Sequence, residues 1–237
     1  MNKPKAIMNW SGGKDSALAL HAVLQADEYE VVGLLTTVSE AYGRISMHGV
    51  REELLDQQAA AIGLPLHKVY IPEQVNMEVY DATMHRALKK LVAAGVTHAI
   101  FGDLFLEDLK IYREKRLAEL NLTGVFPLWQ QDTTKLAQQF VAQRFRAITV
   151  CVNEKQLDRS FVGREMDTDF FASLPKDVDP CGENGEYHSF VYAAPIFAQP
   201  IPVRMGEVVR RTLGEDNDTF DTAFLYADLL PSVTEPA

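Results

Sequence analysis

Disulfides do not organise this chain. Its 237 residues contain two cysteines, Cys151 and Cys181, and no Cys-x-x-Cys pair that would hold zinc or cycle between thiol and disulfide. Cationic charge is scarce as well. With 23 Lys and Arg against 33 Asp and Glu, the formal charge is −10, so the broad basic footprint that neutralises nucleic-acid phosphates is missing and nucleic acid is not expected as a partner. No apolar run approaches the roughly 18 residues of a membrane span, and the first residues lack the apolar centre of a secretory signal. A cytoplasmic location without a membrane partner is the expectation. The chain also lacks a Walker A loop, because Gly13-Lys14 is followed by Asp15 rather than Ser or Thr. It has no internal repeat and no low-complexity segment.

What is present is an ordinary globular composition, 47% hydrophobic and 24% charged, at a length that buries a full core. Apolar periodicity alternates strand and helix up to about residue 152. Strands are expected over 6–10, 30–38, 66–71, 98–101 and 147–152, with helices over 14–27, about 54–62, 80–92, 107–120 and 133–143. Gly63, Pro65 and Gly95 mark helix ends. Alternation of this kind predicts an α/β fold built on a doubly wound parallel sheet over residues 1–152. Gly-, Asp- and Pro-punctuated sequence after Asn153 predicts a smaller α+β domain over residues 153–237, ending in a frayed Pro-Ser-Val-Thr-Glu-Pro-Ala tail.

Ligands of open parallel sheets bind at the carboxyl ends of strands, and polar clusters fall there. The first, Ser11-Gly12-Gly13-Lys14-Asp15-Ser16, sits between the first strand and the first helix. Its glycines let the backbone approach an anion that the helix N-terminus attracts. Ser11 and Ser16 add hydroxyl donors, Lys14 a cation, and Asp15 a carboxylate for a divalent ion bridging phosphates. The second, residues 43–51, offers His48 for stacking or hydrogen bonding and Arg44 or Arg51 for phosphate charge. The third places Gly102 and Asp103 directly after a strand, where the carboxylate can orient a metal or accept a ribose hydroxyl, or simply cap a helix. Beyond it, Lys110, Arg113, Lys115 and Arg116 alternate with Glu107, Asp108, Glu114 and Glu119, a pattern that serves equally as a salt-bridged helix face.

The fourth cluster, Asp179 to Phe190, packs Cys181, Glu183, Asn184, Glu186 and His188 among two glycines. Either glutamate can bind an ammonium ion or act as general base. A lone Cys181 is a weak candidate nucleophile.

The hexapeptide resembles the PP-loop of the N-type ATP pyrophosphatases, which cut ATP between its α- and β-phosphates. Gly-Asp-Leu-Phe-Leu-Glu-Asp-Leu at 102–109, Tyr112-Arg113-Glu114 and Cys-Gly-Glu-Asn-Gly-Glu-Tyr-His at 181–188 sharpen this to a resemblance to the diphthine–ammonia ligase family, over about residues 5–195. The resemblance implies a HUP-type ATP-binding domain and amidation of a carboxylate through an acyl-adenylate, with ATP and Mg²⁺ as cofactors and ammonia as nitrogen donor. ATP would contact Ser11, Gly12, Gly13, Lys14, Asp15, Ser16, His48, Gly102 and Asp103, with Asp15 also on the metal. The acceptor would meet Tyr112, Arg113, Glu183, Asn184, Glu186 and His188. Catalysis would fall to Lys14, Asp15, Glu183 and Glu186. The implied acceptor is protein-borne diphthine where the host makes it, and a small carboxylate otherwise; free ammonia is expected as donor, and a homo-oligomer is compatible. Two other readings stay open: a tRNA-modifying PP-loop enzyme, which the acidic charge disfavours, and a non-catalytic ATP-binding module, which leaves residues 179–190 without a use.

Overall fold

A computed structural model describes residues 2–45, 48–72, 75–213 and 222–232. Among the described residues, ten strands and six α-helices form two sheets with helices between and around them.

The first sheet is built from β1 (Lys5–Asn9), β2 (Glu30–Ser39), β3 (Arg44–Ile45), β4 (Leu66–Ile71), β5 (His98–Ile100) and β6 (Thr123–Val125). β1, β2, β4, β5 and β6 pair in parallel, while the short β3 pairs antiparallel with the end of β2. Val38 and Ser39 bond β4 on one side and β3 on the other, so β3 continues the sheet beyond the carboxyl end of β1. From β1 the chain winds outward to β2 and β4, then returns to β5 and β6 on the opposite flank. The crevice between β1 and β5 is therefore the topological switch point where such sheets bind ligands.

Alternating side chains of β1 divide the core. Ala6 and Met8 face one side with α1 (Lys14–Ala26), α2 (Glu52–Ile62) and α5 (Thr133–Ala142). Ile7 faces the other, with α3 (Met77–Ala93) and α4 (Glu107–Ala118). Local chemistry sets the helix ends. Asn76 and Asp132 accept from Val79 and Lys135 N–H to cap α3 and α5, and Gly63, at φ +79°, closes α2 in the left-handed conformation.

The second sheet is antiparallel, in the order β8 (Tyr187–Ala193), β7 (Arg146–Asn153), β10 (Thr222–Pro231), β9 (Val203–Leu213), with α6 (Thr168–Ser173) beside it. This corrects one expectation. The strand near 147–152 does not complete the parallel sheet; as β7 it pairs with β8 and β10. Its buried, continuous Val150-Cys151-Val152 run fits either kind of sheet. The expected frayed tail overlaps the end of β10 at Pro231, and residues 233–237 lie outside the described residues. No helix among the described residues is long and apolar enough to cross a membrane.

Candidate functional site

β1 ends at Asn9, and the loop that follows is held from three directions before α1 begins. Gly12 turns at φ +77°, and its carbonyl accepts from Val191 of β8 at 2.9 Å and from Gln58 Nε2 of α2 at 2.9 Å. Gln58 is fully buried; its Nε2 also donates to the Val191 carbonyl at 2.7 Å, and its Oε1 accepts the Trp10 indole N–H at 2.8 Å. A side chain on Gly12 would lie 2.7 Å from Gln58 Oε1, so the close packing as well as the positive φ demands glycine. Ser189 Oγ accepts from the Lys14 N–H at 3.1 Å. Gln58 and Ser189 escaped the sequence reading because each is an ordinary polar residue whose partner lies far away in the chain.

Gly13 has no side chain to cap α1, and Ser189 Oγ from β8 takes the first N–H instead; the positive end of the helix faces the crevice. Ser16 Oγ bonds Ser11 Oγ at 3.1 Å and the Gly13 carbonyl at 2.9 Å, which stiffens the loop. Gly102 abuts this same turn. A Cβ there would lie 2.8 to 2.9 Å from backbone atoms of Asp15 and Ser16, so the strand end and the helix start approach at glycine distance.

Around this turn opens a cleft of about 620 Å³. Ser11, Gly13, Lys14, Asp15, Ser16, His48, Gly102, Asp103, Arg113, Glu183 and His188 line it. The four clusters of the sequence thus converge. Gly12 shapes the loop from behind the cleft wall, and Tyr112 lies in a neighbouring cavity. Asn184 and Glu186 depart from expectation. Glu186 is fully buried, accepting from the Asp179 N–H at 3.0 Å and from the Asn184 backbone and side-chain amides at 2.9 and 3.0 Å. Its carboxylate closes the 179–186 loop on itself, and neither residue faces the cleft.

Lys14, 3% exposed, places Nζ 2.7 and 2.6 Å from the two Asp15 oxygens. Burial pulls the ammonium down, but the Asp15 charge and hydrogen bonds outweigh it and hold Lys14 above its ordinary value. Lys14 also sits 5.6 Å over the Tyr187 ring. Glu183, in the loop before β8, accepts from the Leu104 N–H at 2.9 Å. Burial pushes its carboxyl up to about 7, helped by the nearby Asp15 charge and opposed by the Leu104 bond. The His188 ring is pushed down to about 4 by burial and by Lys14, so it is neutral at neutral pH. It packs against His48 with centroids 4.5 Å apart and the rings tilted by 36°. Burial pushes the Cys181 thiol up to about 12, which disfavours its thiolate.

Asp103 pairs with Arg113 at 2.7 Å, and the Arg113 guanidinium lies 4.6 Å over the Phe101 ring. Arg44 and Arg51, expected at phosphate, both bond Asp228 instead. On the β2 flank, the buried Thr36 hydroxyl lines the cleft without a hydrogen-bond partner among the described residues. Among those residues no three His, Cys, Asp or Glu side chains could hold a metal by themselves. Asp15, with its side chain 27% exposed on the cleft wall, does fit Mg²⁺, which takes one or two carboxylates when phosphates supply the remaining oxygens.

Comparison with known proteins places the chain in a family. Curated relatives named diphthine–ammonia ligase align along most of the chain. The protein from Bos taurus is 26% identical over 221 residues, covering 84% of this chain and 82% of its own length. That from Homo sapiens is 25% identical over 221 residues, with the same coverages. The protein from Schizosaccharomyces pombe is 28% identical over 225 residues, and the chain spans 37% of its length. Residues 4–123, carrying the PP-loop and the Gly102-Asp103 turn, match the diphthamide synthase N-terminal domain. Residues 132–217, carrying Glu183 and His188, match the C-terminal domain of the same name, and on those two matches the chain belongs to the diphthamide synthase family.

Proposed function

We propose that this chain is an ATP-dependent amide ligase that joins ammonia to a carboxylate through an acyl-adenylate, releasing AMP and pyrophosphate. The observation that carries the reading is the convergence on a single cleft of the α1 start, with Lys14 and Asp15, and of Glu183 from the loop before β8. A phosphate cradle alone binds nucleotide. A cradle facing a carboxyl that titrates near 7 also offers proton transfer at working pH.

In the first half-reaction an acceptor carboxylate oxygen attacks the α-phosphorus in line. The bond to the bridging oxygen breaks, and pyrophosphate leaves with the electron pair. The N–H groups at the start of α1, Ser11, Ser16 and the Lys14 ammonium hold the charge that develops on the phosphates. Mg²⁺ held by Asp15 supplies charge neutralisation when bound. The unpartnered Thr36 hydroxyl suits a hydrogen bond to the nucleotide base on the β2 flank.

In the second half-reaction ammonia attacks the acyl carbon, the carbon–oxygen bond to AMP breaks, and the nitrogen loses a proton. Ionised Glu183 takes it. Division of labour between the two family domains follows: the first binds and activates ATP, and the second contributes the base. Relatives named diphthine–ammonia ligase support diphthine as the acceptor and ammonia as the donor; we take the diphthine to be carried on the translocating elongation factor, and the cytoplasm to be the place of action.

The test is product analysis. Incubation with ATP, Mg²⁺, ammonium chloride and elongation factor carrying diphthine yields AMP and pyrophosphate in equal amounts, and a mass shift of the acceptor from acid to amide. ADP and phosphate as products would reject cleavage at the α-phosphate. Asp15→Ala abolishes AMP formation.

A further inference from the structure

β9 stands at the open end of the second sheet, and among the described residues β10 is its only strand partner. The other end of that sheet is occupied, because β8 donates the Val191 N–H to the Gly12 carbonyl at 2.9 Å. The described side chains of β9 are exposed or half-buried throughout. A long edge of this kind is a template for another strand.

From this edge we propose that two copies of the chain associate by antiparallel pairing of β9 with β9 of the second copy, on a two-fold axis at Val209, so that their four-stranded sheets join into one. The proposal does not depend on the ligase reading. Three observations carry it.

Backbone direction is the first. The Glu154 N–H donates to the Ala223 carbonyl at 3.0 Å, so Ala223 of β10 faces β7, and Thr222, Phe224 and Tyr226 face β9 by alternation. Their partners there are Leu213, Arg211 and Val209. The N–H and C=O groups of Val208, Arg210 and Thr212 therefore point away from β10, and no backbone bond among the described residues reaches them. Two such edges pair only when the axis passes through a residue, because an axis between residues sets outward groups against inward ones.

Charge is the second, and it selects the axis. At Val209 the axis sets Glu207 against Arg211 of the second copy, and Arg211 against Glu207, with the two Val209 side chains facing each other at the centre. These are non-hydrogen-bonded pairs, in which Cα atoms approach to about 4.5 Å and side chains lie closest. An axis at Glu207, Arg210 or Arg211 opposes two like charges, and an axis at Val208 pairs no charges at all.

Availability is the third. Arg210 is committed to Glu154 at 2.6 Å, whereas Glu207 has no ion pair among the described residues. The Arg211 guanidinium lies 5.2 Å over the Tyr42 ring, a contact that restrains it without supplying a carboxylate. Val209, 39% exposed, gains burial against its copy. β9 also carries the usual guards of an edge, namely charged side chains and a bulge where Gly206 and Glu207 together oppose Asp228. The bulge ends the regular ladder just before Val208, and the Val209 axis turns the guarding charges from repulsion to attraction.

Sedimentation equilibrium of the intact chain over a dilution series tests the association, and the expected species has twice the 26.5 kDa chain mass. Arg211→Glu sets like charges in both outer pairs, and the dimer Kd is expected to rise by about tenfold or more. Glu207→Arg combined with Arg211→Glu restores opposite charges in reverse order and returns the Kd to the wild-type range. Val209→Cys brings two thiols together on the axis at a Cα separation that a disulfide accepts, so mild oxidation links two chains, while Val208→Cys, which faces Arg210 of the second copy, stays unlinked. The native Cys151 and Cys181 are buried and stay out of this reaction. Glu207, Val209 and Arg211 are exposed, and the cross-linking result stands by itself if a charge variant fails to fold. A chain that stays monomeric throughout the series overturns the proposal. A dimer that Arg211→Glu leaves intact, that the double exchange does not restore, or that Val209→Cys does not cross-link overturns it equally, by placing the contact on another surface or in another register.

Discussion

Asp228 grips Arg51 through a paired contact, 2.9 Å from Nε and 2.7 Å from Nη2, and accepts a third bond from Arg44 Nη1 at 2.9 Å. Strand β10 thereby holds both ends of the segment that carries His48, whose ring packs at a tilt against His188 at the cleft wall. The segment belongs to the first sheet and its anchor to the second. The two arginines that invited a phosphate role in the sequence act as struts.

Asp228→Asn is expected to lower stability by about 1–2 kcal/mol, between the values for exposed and for buried pairs. It should also raise KM for ATP several-fold by releasing His48. Hydrogen bonds from the two arginines depress the Asp228 carboxyl from 3.8 to about 2. A depressed carboxylate stabilises the fold fully above its unfolded value and loses that contribution as pH falls through its folded value. The melting curves of the wild-type protein and the Asp228→Asn variant should therefore differ by a constant amount above about pH 5 and converge between about pH 4 and 2. A gap that persists at pH 2 would show that the charge is not the cause.

Gln58→Leu tests the brace behind the PP-loop. The substitution keeps the side-chain bulk but leaves the Trp10 indole N–H and the Gly12 and Val191 carbonyls with fewer partners inside the protein. Each buried polar group stripped of its bond costs about 1–3 kcal/mol, so a loss of about 3 kcal/mol or more in chemical denaturation is expected. ATP affinity should fall with it, because the Gly12 turn loses one of its two anchors. Unchanged ATP binding by calorimetry in the folded variant would mean that β8 alone fixes the loop.

Gly102→Ala should act on the nucleotide without touching it. Its new methyl group would press on backbone atoms of Asp15 and Ser16 at under 3 Å, and backbone cannot swing aside as a side-chain tip can. The start of α1 must shift. A shift near 1 Å in a positioning element can cost about a hundredfold in rate, so the AMP-release rate is expected to drop by one to two orders of magnitude. A wild-type rate would show that the loop after β5 yields instead.

Much of this architecture was legible in local sequence. The strand at Leu66–Ile71 and the helices at Glu52–Ile62, Met77–Ala93 and Thr133–Ala142 carry apolar periodicity and end signals such as Gly63 that need no tertiary information. The convergence of residues 11–16, 48 and 102–103 followed from one topological rule. What stayed hidden depends on pairing across long separations. β7 reads as a buried strand in either sheet, and only its partners β8 and β10 decide which. Glu183 and Glu186 look equivalent in Cys-Gly-Glu-Asn-Gly-Glu, yet one faces the cleft and the other bonds Asp179 and Asn184 in the loop interior. Spacing alone does not assign loop residues to an inside or an outside.

Glu183 gives opposite pH trends in stability and turnover. Burial raises its carboxyl from 4.5 to about 7. A raised carboxyl favours the protonated folded state, so its contribution to stability is complete below 4.5 and declines as pH rises through 7. Proton removal from nitrogen needs the ionised form. At a fixed concentration of free ammonia, a base of this kind predicts an amidation rate that climbs about tenfold from pH 6 to pH 8, over the interval in which the melting temperature of the free protein falls. Glu183→Gln should remove most of the amidation, flatten the pH dependence of the remainder and of the melting temperature, and spare ATP-analogue binding. Persistence of the full pH rise in the Gln variant would assign the proton transfer to another group, whereas loss of ATP-analogue binding would place Glu183 in the nucleotide site.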